Sequence, residues 1–250
     1  MTVPFHDPLW VQKKITSLSK KLGWKKKHLA TISKYPITAL FSSASSPSAK
    51  HVYLSAGIHG DEPAGVLALI EWLENFSTAS YNYQFTVIPL INPWGLKHNS
   101  RLNEQGIDLN RAFHKVDLSP IKEIRLFLED RTPFDLALIL HEDYDAQGVY
   151  LYETPANLCL GKKILEEVSK ICAIDNRPKI EGRKHNGGVL SRPVKKSWFE
   201  KNGYPEAIYF YFQLGCKKIY TIETPSEWDI AKRVQAHLLA IDTALSLLNS

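Results

Sequence analysis

Four apolar runs in this 250-residue chain end on polar residues able to do chemistry, and that arrangement narrows the fold more than any other feature. Residues 52–58 lead into His59-Gly60-Asp61-Glu62. Residues 84–91 lead into Asn92-Pro93-Trp94-Gly95, then into a polar, irregular stretch holding Arg101, Asn103, Asp108, Asn110 and Arg111. Residues 134–140 end at His141, and residues 218–222 end at Glu223. Apolar runs of this length read as strands. Amphipathic runs separate them. In 61–76, Val66, Leu67, Ile70, Leu73 and Phe76 recur at helical spacing; in 225–248, Ile230, Val234, Leu238, Ile241, Leu245 and Leu248 share a face. Strands alternating with helices predict an α/β fold, a single-domain mixed, mostly parallel β-sheet with helices on both faces. The carboxyl ends of parallel strands open onto one crevice, so the four polar clusters are expected to converge there.

The remaining elements are read in the same way. Residues 8–34 read as helical from Leu9, Val11, Ile15, Leu18 and Leu22, with a break at Gly23. Residues 37–42 form a short strand, and the Ser/Ala/Pro stretch 42–50 a loop. Ser119-Pro120 opens a helix, with Ser as N-cap and Pro at its first position. A short strand at 149–152 precedes a helix at 156–172. Residues 174–204 carry loop markers, Gly187-Gly188 and Arg192-Pro193. An aromatic helix at 206–214 is closed by Gly215. Residues 1–50 are read as a lead-in packed on a catalytic domain spanning 51–250.

Composition excludes some classes of function. The chain is 44% hydrophobic and 23% charged, with a net charge of +5, as in ordinary globular proteins. Lys13, Lys14, Lys20, Lys21, Lys25, Lys26 and Lys27 form either a solvated helix face or a contact for an acidic partner. Basic and aromatic residues do not interleave, so no nucleic-acid partner is expected. Cys159, Cys172 and Cys216 are too scattered for a disulfide framework. With no signal-like segment and no run of 18 apolar residues, the expectation is a cytoplasmic protein without a membrane partner. Oligomeric state is not legible at this level.

His59 and Glu62, three apart on a tight turn, can reach one ion, and His141 can join them from a neighbouring strand. Two histidines and a glutamate make a catalytic zinc set with an open fourth position, so a single Zn2+ is the expected cofactor. The competing readings are a surface or capping His59, a satisfied buried His141, and Asp61 and Glu62 as acids at a helix N-terminus. Glu223 is either a desolvated carboxylate with a pKa raised towards that of a general base, or a strand-end acid facing water. Arg101 and Arg111 either grip a substrate carboxylate or polarise its carbonyl, or else they salt-bridge Asp108, Glu104 or Asp117.

Taken together, His59-Gly60-Asp61-Glu62, Asn92-Pro93-Trp94-Gly95, Arg101, Gly106-Ile107-Asp108-Leu109-Asn110-Arg111, His141 and Thr221-Ile222-Glu223 resemble the carboxypeptidase A-like family of zinc carboxypeptidases. The pieces stand in the family's order over about positions 50 to 225. The resemblance implies His59, Glu62 and His141 as zinc ligands and Glu223 as the base that activates water. It implies Arg101 as the stabiliser of the oxyanion, with Asn110 and Arg111 holding a substrate carboxylate. Ala112 replaces the second Asn of the family's D-L-N-R-N-F. Tyr204, nineteen residues before Glu223, is the nearest candidate for the family's mobile-loop tyrosine, and is otherwise a loop or core residue. The acidic run Glu142-Asp143-Tyr144-Asp145 favours an amino-bearing substrate or else supports the ligands.

The same pieces are similar to the aspartoacylase and succinylglutamate desuccinylase branch, whose members typically add a C-terminal β-rich domain. This chain stops one helix after Glu223, and so looks more like the cytoplasmic bacterial murein-peptide amidases. The implied function is zinc-dependent hydrolysis of an amide next to a free carboxylate, in a small peptide or murein peptide. The alternatives are an N-acyl amino acid deacylase and a non-catalytic binding protein on the same fold.

Overall fold

In a computed structural model, describing residues 5–77, 82–156, 160–191 and 194–248, a single sheet runs through the chain. Its centre is four parallel strands: β3 (Lys50–Ser55), β4 (Tyr83–Ile88), β5 (Leu136–Asp143) and β8 (Ile219–Pro225). β1 (Lys25–Ile32) and β2 (Tyr35–Phe41) extend it antiparallel beyond β4. β6 (Tyr150–Thr154) pairs antiparallel with β8 and parallel with β7 (Val189–Ser191). The order is β1-β2-β4-β3-β5-β8-β6-β7, the mixed α/β sheet expected.

Alternation along the strands divides the core. Val52, Leu54, Leu138, Leu140, Tyr220 and Ile222 face one layer. There α1 (Pro8–Leu22), α2 (Pro63–Asn75), α5 (Leu160–Val168) and α8 (Ile230–Leu248) cover them. Tyr53, Ala137, Ile139 and Ile219 face the other layer. It is covered by α4 (Ile121–Glu129), α7 (Glu206–Phe212) and Phe199 of α6 (Lys196–Asn202). The parity of β5 therefore sends His141 to the side of Ile139, and Glu142 to the side of Leu140, facing α2 and α8.

Several local expectations are corrected. Residues 25–32 are an edge strand, not the second half of a helix. Gly23 ends α1 in the left-handed conformation, φ 65°, with its N–H on the Lys20 carbonyl. Lys25, Lys26 and Lys27 then lie exposed on that edge, where charge discourages pairing with other sheets. The turn at Asn92 is the N-cap of a short helix, α3 (Pro93–His98), with the Asn92 side chain accepting from the Gly95 N–H at 2.9 Å. In α4 the cap is Pro120, so the helix starts one residue later than expected. β5 and β8 do not stop at His141 and Glu223 but pair on to Asp143 and Pro225. Pro225 therefore closes a strand, and α8 starts at Ile230, where Asp229 accepts from the Ala231 N–H at 2.9 Å. α7 ends at Phe212, before Gly215. Residues 174–204 include β7 and α6. The start of the helix expected from 156, Cys159 and the loop at Arg192-Pro193 fall on positions outside the described residues.

Candidate metal centre

The turn after β3 is set by close backbone packing. A Cβ on Gly60 would lie 1.8 Å from the Gly95 carbonyl carbon, so no larger residue fits. The Gly60 N–H donates to the Ser100 carbonyl at 2.9 Å, tying the turn to the segment beyond α3. Pro63 then starts α2, leaving Glu62 at the N-cap position with no side-chain capping bond. Its carboxylate is used elsewhere: Oε1 lies 2.5 Å from His59 Nδ1, and Oε2 lies 2.8 Å from His141 Nδ1. The Glu142 backbone N–H donates to the same Oε2 at 3.1 Å. His59, Glu62 and His141 are all buried, and one donor atom from each lies within 4.8 Å of the others.

The surroundings suit a metal. Asp108 Oδ1 accepts from His59 Nε2 at 3.2 Å, which orients the ring with Nδ1 facing the cluster. Arg101 binds Asp108 Oδ2 through Nε at 3.2 Å and Nη2 at 3.0 Å. Its Nη1 lies 3.2 Å from His59 Nδ1 and 3.6 Å from Glu62 Oε1. Burial alone would raise the Glu62 pKa, but the two imidazoles outweigh it and hold the carboxyl well below its usual range. Burial likewise works against charge on His59, and Glu62 and Asp108 overcome it, raising the ring to about 9. Two imidazole nitrogens and a carboxylate, pointed at one place and rigidly backed, form a donor set that fits a divalent ion.

His141 and Glu223 are register partners on β5 and β8, and Tyr150 of β6 is the next partner across. Paired residues share a face, so Glu223 lies on the histidine side of the sheet. It is half-buried, and burial pushes its carboxyl up to about 8 against the opposing pull of His141. The triad and Glu223 line a cavity of about 100 Å3, together with Arg101, Asn110 and Arg111. Asn110 accepts the Glu206 N–H at 3.0 Å, and its Nδ2 lies 3.4 Å from His141 Nε2. Arg111 is exposed, and among the described residues it has no carboxylate partner within salt-bridge distance.

Five of the residues singled out in the sequence besides the triad were Arg101, Asn110, Arg111, Glu223 and Tyr204; the first four reach the cavity. Tyr204 does not. It is 2% exposed, with its ring in the second apolar layer and its backbone bridged to Ala112. Asp61 is exposed and stays out of the donor cluster. The ion-pair reading of Arg101 is realised, and the same pair with Asp108 holds its guanidinium beside the triad. Of the two readings of Glu142, support of the ligands is the one its backbone N–H on Glu62 agrees with, and Glu206 was not singled out. Glu142 accepts the Ala64 N–H at 2.6 Å and pairs with Arg233 of α8. Glu206 accepts from Tyr53 Oη at 2.6 Å while fully buried. Only an acid in an apolar, aromatic helix hinted at Glu206; nothing in the local sequence links Glu142 to Arg233.

Comparison with known proteins agrees with this geometry. Residues 48–150 match the succinylglutamate desuccinylase/aspartoacylase catalytic domain, a span that holds the triad, Arg101, Asn110 and Arg111 but not Glu223. No curated protein matches by sequence. A candidate metallopeptidase of Shewanella amazonensis superposes with a TM-score of 0.85 at 21% identity, over 98% of this chain and 94% of that one. A metallo-carboxypeptidase of Burkholderia cenocepacia gives 0.71 at 16%, over 95% and 68%. One from Pseudomonas aeruginosa, in complex with (2-guanidinoethylmercapto)succinic acid, gives 0.70 at 19%, over 95% and 69%. In fold the chain is like these metallopeptidases and metallo-carboxypeptidases, and its residues 48–150 are similar to the succinylglutamate desuccinylase/aspartoacylase catalytic domain.

Proposed function

We propose that this protein is a zinc-dependent amide hydrolase of the metallocarboxypeptidase type, acting on small peptides or murein peptides next to a free carboxylate. The observation that carries the reading is the placing of an unpaired arginine, Arg111, in one cavity with the His59-Glu62-His141 cluster and Glu223. Zinc held by those three residues would supply a Lewis acid for the scissile carbonyl. The residues of the chain supply the rest. Glu223, with a carboxyl raised by burial, takes a proton from the attacking water and returns it to the departing amine. Arg101, braced by Asp108, offers Nη1 to the oxyanion. Arg111 anchors the terminal carboxylate, with Asn110 beside it.

A second groove of about 520 Å3 adjoins the cavity and shares Glu62, Arg101, Glu142 and Asp143 with it, continuing past His6, Asp61 and Tyr144. Space on that side supports a substrate with an extended acyl portion, as in a peptide. Among the described residues Cys172 and Cys216 are free thiols, which supports a reducing compartment such as the cytoplasm. No helix among the described residues is long and apolar enough to cross a membrane.

The test is a substrate panel on zinc-loaded protein: dipeptides with a free C-terminus, γ-D-glutamyl-diaminopimelate peptides, and acetyl-aspartate. Cleavage of the peptides over acetyl-aspartate is expected; the reverse preference makes the protein a deacylase. Arg111→Ala should raise KM for carboxylate-bearing substrates with little change in kcat. An unchanged KM removes the anchor role.

A further inference from the structure

Asn110 and Arg111 are themselves held by one short segment, residues 203–206. The Tyr204 N–H donates to the Arg111 carbonyl at 2.9 Å, and the Phe113 N–H donates to the Tyr204 carbonyl at 3.0 Å. The segment thus runs beside 111–113 as a strand would. Gly203 lies against the Arg111 side chain, where a Cβ would stand 2.6 Å from Arg111 Cδ. The Glu206 N–H donates to Asn110 Oδ1 at 3.0 Å. A backbone N–H can be met only by the oxygen of the amide, so this bond decides which way Asn110 faces. Its oxygen is engaged by the start of α7, and its nitrogen, the end that can donate to a carboxylate, is left beside His141 in the cavity.

The carboxyl of Glu206 goes into the core. It is fully buried; Oε1 accepts the Tyr53 hydroxyl at 2.6 Å, and Oε2 meets no hydrogen-bond partner among the described residues. Burial raises its pKa. Tyr53 is itself fully buried on β3 and stacks on Phe210 of α7, with 4.4 Å between ring centroids. Ala207, Ile208, Tyr209 and Phe210, which follow Glu206, are all buried. A buried acid without a cation costs stability, and a leucine would suit this layer better. Departures from local preference that a fold retains tend to serve function. Here the departure is a polar tie. Pro205 gives α7 no side-chain cap, and Glu206 joins the start of that helix to β3, the strand that leads into His59.

We propose that Glu206 is a positioning residue: pinned to Tyr53, it fixes residues 203–206 and, through them, sets Asn110 and Arg111 to receive a substrate carboxylate. The inference rests on the amide-hydrolase reading and adds to it a residue that touches neither substrate nor metal. When the start of α7 loosens, the Asn110 amide loses the donor on its oxygen and is free to turn. A turned amide presents oxygen to an anion and repels it. The backbone of Arg111 loosens with it, because Tyr204 and Arg111 share a hydrogen bond. The role depends on the shape and hydrogen bonding of the Glu206 carboxyl and not on its charge, so glutamine serves in its place and leucine does not.

The experiment measures calorimetric binding of succinate to the zinc-loaded full-length protein, beside KM and kcat for a dipeptide with a free C-terminus. Glu206→Leu combined with Tyr53→Phe replaces both partners of the buried bond by apolar groups, so the fold is expected to persist in a denaturant melt. That double variant should bind succinate about tenfold more weakly and raise KM by about the same factor, with little change in kcat. Zinc affinity, read with a chelator, should stay at the wild-type value. Glu206→Gln, which still accepts the Tyr53 hydroxyl, should bring succinate affinity back to within about threefold of wild type. Tyr53→Phe alone should show part of the loss. In an Asn110→Ala background the double change should cost much less than in wild type, because both act on one clamp. The proposal is overturned if succinate binding is unmoved in the double variant or in Tyr53→Phe, if Glu206→Gln is as weak as the double variant, if zinc is lost instead, or if the loss is as large in the Asn110→Ala background. Should no amide be cleaved while succinate binding weakens in the double variant and recovers in Glu206→Gln, the hydrolase reading fails and the positioning role holds. A wild type that binds no succinate, or binds it equally well after Arg111→Ala and Asn110→Ala, removes the clamp and the role of Glu206 with it.

Discussion

Asp108 serves two partners with one carboxylate, taking the His59 ring on Oδ1 and the Arg101 fork on Oδ2. Removing it frees the His59 ring and the arginine together. Asp108→Ala should therefore weaken zinc binding about 10- to 100-fold, measured by competition with a chromophoric chelator; unchanged affinity would remove Asp108 from the support of the site. Glu223→Gln should retain zinc and lose hydrolysis by a factor of about 100 or more, and full activity in that variant would exclude Glu223 as the base. His51, at the start of β3, gives a prediction about pH. Its Nε2 lies 2.8 Å from Thr86 Oγ1 and its Nδ1 3.2 Å from the Pro133 carbonyl. Burial pulls its pKa down to about 4. The unfolded imidazole, with a pKa of about 6.5, binds a proton that the folded one refuses. The contribution of His51 to stability is thus fully present above that value and lost as pH falls towards 4. Its slope is at most about 1.4 kcal/mol per pH unit. Denaturant melts between pH 7 and 4.5 should show this fall, and His51→Gln should flatten it.

At the scale of elements, the candidate metal centre depends on how α2, β5 and α8 are locked together. Glu142 accepts from the first turn of α2 and pairs with Arg233 of α8, while its own backbone N–H holds Glu62. Arg233→Leu leaves that buried carboxylate unpaired and should destabilise the fold by about 3 kcal/mol. Zinc affinity should fall as well, because Glu142 adjoins His141 on β5, holds Ala64 beside Glu62 and donates its N–H to Glu62. A denaturant melt and a chelator titration check the two effects separately. The elements that were read wrongly have local reasons. Residues 25–32 form an edge strand with one solvated face, so their apolar pattern is thin. Strands β5 and β8 run past His141 and Glu223 because each supplies the other's backbone partners, which polar side chains in the sequence do not reveal.

For the whole molecule, the sheet brings together ligands that lie up to 82 residues apart in sequence, from His59 to His141. A divalent ion that binds only the folded arrangement stabilises it by mass action. At about a thousandfold excess over Kd the gain is about 4 kcal/mol, read as a rise in Tm. His59→Ala should abolish that rise. A rise that survives in the variant would place the ion elsewhere.

Covalent order and residue type were enough to announce the sheet, its parallel centre and the four polar clusters at strand ends. Apolar runs of strand length, interrupted by helical periodicity, have few other ways to bury their faces. They also carried the convergence of the candidate donor set and the two arginines on one cavity, because that rests on local spacing and on the shared edge of a parallel sheet. The bracing of Glu142 by Arg233 and the withdrawal of Tyr204 into the core were decided by the tertiary structure. Each depends on which side chains meet across elements distant in sequence. Such pairings are set by packing and register, and the sequence near any one of these residues contains neither.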